Sequence, residues 1–356
     1  MSEHGLTLPI SDLRPPITDI QSKIGNSKMI LVTGATGFLG HHLVPLLIER
    51  GHRVRALVRP TSDYGFAREC GAELAFGDTR DAQAVTKAVA GCEAVIHAAG
   101  KFRFWGKYKD FVGTNVYGTY HVLEAARCAG VRRFVHISTI AVVGSPKPGT
   151  LITEETPCQP VDAYQRSKHE GEWLVRAYHA ERGLPAIILR PGAFYGPWGR
   201  YAFNRLFFED PLKGLPLRVH HGRHVTFPMF VPDLCRMIES ALTHGRPGEI
   251  YNVSGPSLSH NEVNAIVGRL AGVRFWLNAP GWGMIVLAKL WTALSRLTRR
   301  EPYYPIDMAP YVFCDWNVSC DKARAELGLC PTPFEDGARA TLEWYWSQGI
   351  FQRRVH

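Results

Sequence analysis

Tyr164 and Lys168 stand four residues apart in the run Tyr164-Gln-Arg-Ser-Lys168. On a helix that spacing puts a phenol and an ammonium on one face, one turn apart. A phenol with its ordinary pKa of about 10 is a poor base at neutral pH. A cation held beside it stabilises the phenolate and brings that value down. The pair therefore predicts proton exchange between Tyr164 and a substrate oxygen, with Lys168 depressing the tyrosine's pKa. A neighbouring hydroxyl would orient that oxygen, and Ser138 and Thr139, at the end of an apolar run, are the candidates. Asn115, in Thr114-Asn115-Val116-Tyr117-Gly118-Thr119, is a candidate for holding a helix backbone open to a proton-relay water.

A second cluster lies far upstream. Gly34-Ala35-Thr36-Gly37-Phe38-Leu39-Gly40 follows the apolar run Met29–Thr33 and precedes a helical pattern. Glycines at this spacing let the backbone approach a pyrophosphate, and the helix start adds free N–H groups and a positive dipole end. The next apolar run ends in Val58-Arg59-Pro60-Thr61-Ser62. A carboxylate here would bond a ribose 2′-hydroxyl, whereas an arginine suits a 2′-phosphate. Arg59 therefore favours NADP(H), with NAD(H) as the alternative; Asp63 comes too late to be the ribose carboxylate.

These groups need a frame. Apolar runs at 29–33, 54–58, 74–76, 94–97, 133–138 and 186–189 alternate with helical patterns at 38–50, 81–90, 112–129 and 162–182. That alternation predicts an α/β fold, a Rossmann-type doubly wound parallel sheet, with Pro45 kinking the first helix. Residues 1–28 read as an irregular N-terminal arm with no apolar secretory core, 29–191 as the dinucleotide-binding domain, and 192–356 mainly as a smaller C-terminal substrate lobe with segments returning to the core. The 356 residues carry a formal charge of +9 with the cations dispersed. No nucleic-acid-binding signature appears, so nucleic acid is not an expected partner. Eight cysteines without C-x-x-C pairs read as reduced thiols of a cytoplasmic protein, and His220, His221 and His224 read as a turn without metal. Aromatic residues crowd the lobe's start, including Phe102, Phe104, Trp105, Phe194, Tyr195, Trp198, Tyr201, Phe203, Phe207 and Phe208. Such walls suit a flat, hydrophobic small molecule, with lobe core as the plainer reading. The segment 281–300 is apolar, carries Trp282 and Trp291, and ends in Arg296, Arg299 and Arg300. Its composition fits a helix in peripheral membrane contact, the alternatives being an internal helix or a dimer contact.

The order glycine loop, Gly77-Asp78-x-Arg80-Asp81, His97-Ala98-Ala99-Gly100, Asn115, Ser138-Thr139, Tyr164-x-x-x-Lys168, Arg190-Pro191-Gly192 resembles the extended short-chain dehydrogenase/reductase superfamily from residue 29 to about 349. The resemblance implies that Asp78, with Thr79 beside it, meets the adenine and that Ala98, Ala99 and Gly100 line the cofactor. It implies that Lys168 bonds the nicotinamide ribose and that Pro191 and Gly192 bring backbone to the carboxamide. Thr139 falls at the position of the family's usual serine. Ile140 and Ala141 stand where sugar-nucleotide dehydratases of this type carry acids, and Ala193 where epimerases carry an asparagine amide. Arg190-Pro191-Gly192 and the tail Phe313 to Trp344 are similar to the 3β-hydroxysteroid dehydrogenase and dihydroflavonol reductase branch. That likeness implies a ketone/alcohol oxidoreductase for a steroid- or terpenoid-like substrate, working as a homodimer. A sugar-nucleotide epimerase with tightly bound NAD is the alternative, and a non-catalytic cofactor sensor is disfavoured because Tyr164 and Lys168 are both present.

Overall fold

Short β-branched and aliphatic runs with no polar face need cover on both sides, and here they receive it. The computed structural model describes residues 29–353; the arm expected at 1–28 lies outside them. The sheet strands are β1 (Met29–Thr33), β2 (Arg53–Val58), β3 (Glu73–Phe76), β4 (Ala94–His97), β5 (Arg133–Ile137), β6 (Ala186–Pro191) and β7 (Ile250–Val253). They pair in the order β3-β2-β1-β4-β5-β6-β7, every pair parallel. Every residue of β1, β4 and β6 is buried. The helices that cover the two faces include α1 (Gly40–Glu49), α2 (Ala82–Val89), α3 (Thr119–Cys128), α4 (Ala163–Arg182) and α5 (Val231–Thr243). One apolar core forms on each side of the sheet. The strand order reverses between β1 and β4, so their carboxyl ends splay into a crevice, the place where open α/β sheets bind ligands.

Three local differences from the sequence pattern matter for the site. The helix expected from residue 38 begins at Gly40, with Leu39 before it, and runs through Pro45 to Glu49. The helix expected over 112–129 is interrupted by a widened π-helical turn, Gly113–Gly118, centred on Asn115. Single π turns of this kind open the backbone ladder and recur at functional sites. The seventh strand, β7, was not legible as part of the sheet: four residues in a loosely patterned region give little periodic signal, and pairing of Ile250 with Ile188 supplies the missing order.

After Pro191 the chain leaves the sheet and returns to it through α5 and β7. The remainder builds the lobe. It contains α6 (His260–Ala271), α7 (Gly281–Thr298) and α8 (Phe334–Ser347), with small parallel ladders joining 193–195 to 228–230 and 217–219 to 277–279. Tyr195, Phe208, Phe334 and Tyr345 form its aromatic core.

The long helix α4 is fixed at three points. Asp162 caps its start, accepting from the Gln165 N–H at 2.7 Å. Gly183 ends it at φ 69°, a left-handed turn that costs glycine little. In between, Glu172 takes both arms of the Arg190 guanidinium, at 2.9 and 2.7 Å. This pair is buried on both sides, so it ties α4 to β6 in one register. No described helix is long and apolar enough to cross a membrane, and all eight cysteines are free thiols.

Candidate active site

The carboxyl ends of β1, β2 and β4 open into one end of a cleft lined by Gly34, Thr36, Gly37, Arg59, Asp78, Thr79, Ala98, Ala99 and Gly100. The glycines divide the work. A Cβ on Gly34 would lie 2.7 Å from the Ala98 carbonyl, and one on Gly40 would lie 2.0 Å from the Ala35 oxygen. These two glycines let loop, strand and helix pack. Gly40 serves the cleft through that packing and does not line it. Gly37 would meet only the Gly34 oxygen, at 3.3 Å, and leaves its face open to the cleft. This is a cradle shaped for a backbone-bound phosphate at a helix start, and it fits a dinucleotide.

At the far end of this wall Arg59 is exposed and, among the described residues, donates to the Ser62 hydroxyl at 3.4 Å. Asp63 accepts from the Gly65 N–H at 3.3 Å, within its own turn. Asp78 lines the cleft, but its carboxylate is engaged by Arg80, through the backbone N–H and both guanidinium arms at 2.9 Å. The hydrogen bonds from Arg80 hold the Asp78 pKa below its ordinary value.

The ends of β5 and β6 and the start of α4 form the other end of the cleft, a cavity of about 460 Å³. Phe38, Leu39, Ser138, Thr139, Tyr164, Lys168 and Gly192 line it together. Pro191 does not. It ends β6, paired with Val253 and buried, and the next residue, Gly192, makes the backbone approach. A Cβ on Gly192 would strike the Phe227 oxygen at 2.3 Å.

Lys168 Nζ donates to the Ile137 carbonyl at 2.6 Å. Burial brings the ammonium's pKa down to about 8. The Tyr164 phenol moves the other way. Burial raises its pKa, the negative charge of Asp162 adds to the rise, and the Thr139 hydroxyl beside it opposes it. The expected depression by Lys168 is not found, because loss of water penalises the phenolate more than the surrounding groups support it. Thr139 Oγ1 also accepts from the Ala141 N–H at 3.2 Å, capping a short turn. Ser138 Oγ is buried without a hydrogen-bond partner among the described residues. A buried hydroxyl left unpaired inside a ligand cleft is a group waiting for a ligand atom.

Asn115 sits behind the cleft wall. Its amide donates to the Lys101 carbonyl at 3.0 Å and to Ser167 Oγ at 2.8 Å, and its oxygen accepts from the Lys101 N–H at 2.7 Å. It thereby pins the loop after β4 to α4, a positioning residue whose side chain faces protein. Its carbonyl accepts from Thr119 Oγ1 at 2.8 Å.

Thr33 and Tyr311 carry no local sequence signal, while His97, Thr119 and Phe102, which do, take roles that only the packing defines. Thr33 Oγ1 accepts from the Ala99 N–H and bonds His97 Nδ1, whose other nitrogen meets Thr119 Oγ1 at 3.0 Å. With the Thr119 hydroxyl donating to Asn115, this chain is consistent with one neutral tautomer of His97, and burial holds that imidazole at about 3. Phe102 packs on the Tyr164 ring, centroids 4.6 Å apart. Tyr311 arrives from the lobe, accepting from Gln165 Nε2 at 3.0 Å and donating to Asp162 at 3.1 Å. Asp162 in this company is pushed up to about 6 by burial.

The histidine turn forms at His220–Gly222. A carboxylate from the lobe lies beside it: His224 Nδ1 is 3.1 Å from Asp315 Oδ1. Among the described residues Cys158, His169 and Glu172 lie close enough to share an ion, but both Glu172 oxygens are held by Arg190.

Asp162→Asn keeps the helix cap and removes a negative charge that disfavours the Tyr164 phenolate. The pH–rate limb belonging to Tyr164 should move to lower pH, as read from kcat/KM across alkaline pH; a limb unmoved or shifted upward contradicts the assigned electrostatics.

Comparison with known proteins agrees with this geometry. The profile of the NAD dependent epimerase/dehydratase family matches residues 30–254. Sterol demethylase protein B of Methylococcus capsulatus is 32% identical over 333 residues, covering 90% of this chain and 99% of that protein. The 4-hydroxy-2-methyl-3-oxo-4-farnesyl-3,4-dihydroquinoline-1-oxide ketoreductase of Stigmatella aurantiaca is 29% identical, covering 83% of this chain and 90% of that one. The crystal structure of a dTDP-glucose 4,6-dehydratase from Streptomyces venezuelae, with NAD bound, superposes with a TM-score of 0.74 at 28% identity, over 91% of this chain and 99% of that one. A pyridine-nucleotide cleft, a Tyr164/Lys168 helix and a full-length match of this kind lead to one conclusion: the chain is an enzyme of the NAD dependent epimerase/dehydratase family, an extended short-chain dehydrogenase/reductase.

Proposed function

We propose that the protein is an NADP(H)-dependent oxidoreductase that interconverts a secondary alcohol and a ketone on a bulky apolar substrate, steroid- or terpenoid-like in shape. The observation that carries this reading is the contrast within the cavity. Ser138, Thr139 and Tyr164 bring their hydroxyls to one end, while Phe102, Phe104, Phe194, Trp198, Phe227 and Tyr311 supply much of the wall. A few convergent polar groups in an apolar chamber select an oily molecule with one reacting oxygen. The names of two relatives, one a sterol demethylase protein and one a farnesyl-quinoline ketoreductase, support the same substrate class.

The residues then divide the chemistry. Ser138 donates to the substrate oxygen, satisfying its own unpaired hydroxyl. Tyr164 gives a proton to that oxygen in reduction and takes it back in oxidation. A phenol kept protonated by burial is in the form that donates. Thr139 steadies the phenol. Lys168 spends one donor on Ile137, leaving two for ribose hydroxyls. Bound nicotinamide supplies or accepts the hydride at C4. Arg59 lines the cleft with Ser62 beside it and could offer its cation to a ribose 2′-phosphate, which supports the NADP(H) reading.

A sugar-nucleotide dehydratase or epimerase is the second reading, favoured by the likeness to the dTDP-glucose dehydratase fold. Ile140 and Ala141 are buried and apolar here, and dehydration needs a further acid/base pair.

With NADPH and a panel of sterol, terpenoid and quinoline ketones, stoichiometric cofactor oxidation is expected. Tyr164→Phe should lower kcat by about 100-fold or more while cofactor affinity stays unchanged. Turnover of nucleotide sugars without net cofactor conversion would instead establish the second reading. Arg59→Ala should lower kcat/KM for NADPH about tenfold and leave NADH nearly unaffected; equal losses with both cofactors contradict the 2′-phosphate assignment.

A further inference from the structure

Helix α7 is apolar on the wrong side. Its inner face is held to the lobe: Gly281, Ala288 and Ser295 are buried, Trp291 stacks on Tyr304, and Thr292 Oγ1 accepts from the Ile306 N–H at 3.3 Å. Its outer face should then be polar. Instead Trp282, Val286, Leu290, Leu294 and Leu297 follow one another at helical spacing, each between 49% and 83% exposed. The segment leading into the helix adds Phe275 and Leu277, 64% and 53% exposed. Scattered apolar side chains on a surface are ordinary, but a continuous stripe along a helix is not.

Along the sequence of this stretch, up to Glu301 at its end, the charges have one sign. Residues 271–300 contain five basic side chains, Arg274, Lys289, Arg296, Arg299 and Arg300, and no acidic one. We propose that this face of α7 docks onto an anionic lipid bilayer, seating the stripe among acyl chains and the cations among headgroups. An amphipathic helix with such a rim binds through apolar area plus attraction to anionic lipid. The helix lies in the interface and does not cross it, since its inner face is committed to the lobe and Lys289 stands midway along its 18 residues. Lys289 beside Leu290 is exposed, and its stem is long enough to reach headgroups while the leucine is immersed. A second copy of this chain is the weaker occupant, because a two-fold contact would set the same cations against each other.

The position of the face relative to the active site fits this occupant. Under α7 lies an apolar cavity of about 90 Å³ walled by Met284, Ile285 and Ala288, and Leu206 and Phe207 belong to its lining and to that of the reaction end of the cleft. One helix and one shared wall therefore separate the lipid-facing surface from the catalytic hydroxyls. The docking itself does not depend on which substrate is turned over.

Vesicle flotation of the full chain tests the proposal, comparing pure phosphatidylcholine with phosphatidylcholine–phosphatidylglycerol mixtures at low and high salt. The protein should float with the anionic vesicles at low salt and be released by high salt. Leu290→Glu/Leu294→Glu should reduce the bound fraction about tenfold. Both positions are exposed, so the melting temperature and NADPH binding should not change. Should that variant misfold, Lys289→Glu/Arg299→Glu/Arg300→Glu removes the headgroup contacts while sparing the stripe, and should abolish the preference for phosphatidylglycerol. Failure of the native chain to float with anionic vesicles overturns the proposal, as does equal flotation of the leucine variant. A native dimer that the leucine variant dissociates, with no vesicle binding, assigns the face to self-association and overturns it too.

Discussion

A lysine ammonium buried beneath a dinucleotide cleft sets the terms for everything around it. Lys168 is held by the Ile137 carbonyl at 2.6 Å, and loss of water pulls its pKa down to about 8. The charge of Glu172, one helical turn along and paired with Arg190, opposes that fall. The imidazoles nearest the cation are neutral: burial, then the charge of Lys168, drives both His97 and His136 well below the ordinary histidine value. Among the described residues the ammonium thus has neutral imidazoles beside it, and two of its donors are left for a ligand. A buried charge of this kind is tolerable only where its geometry is fixed, and the capped helix α4, the π turn at Asn115 and the pinned loop after β4 fix it.

Legibility in the sequence follows the range of the interaction. Tyr164 and Lys168 were visible because helical period alone puts them on one face, and the glycine loop because strand, glycine spacing and helix are contiguous. The sense of the Tyr164 pKa was not visible. Sequence gives a phenol's neighbours along the chain, Asp162 among them, but the exclusion of water and the arrival of Tyr311 depend on the lobe packing over α4. The same limit separates Pro191 from Gly192: adjacent in the chain, one is consumed by pairing with β7 and the other faces the cleft. Asn115 was found by its motif, yet its side chain works on the loop at Lys101 and on Ser167, 14 and 52 residues away.

The aromatic crowd in the lobe resolves into two populations. Tyr195 and Phe208 belong to the lobe's own core, while Phe194, Trp198 and Tyr201 line the cavity. Tyr201 is itself held in place, accepting from the Phe104 N–H at 2.9 Å and donating to Glu301. The loop after β4 is thus stitched to the segment that follows α7, and the wall of the reaction chamber is continuous with the helix that shows its apolar stripe outward. One hydrophobic theme runs from the surface to the hydroxyls of the cleft.

The buried cation is the claim on which the rest stands, and its titration can be watched directly. In protein labelled at the lysine ε-carbons, the Lys168 resonance, assigned by its loss in Lys168→Arg, should titrate near 8 in the cofactor-free enzyme. A midpoint at the ordinary lysine value of about 10.4 would show a solvated ammonium and contradict the electrostatic arrangement described for the cleft.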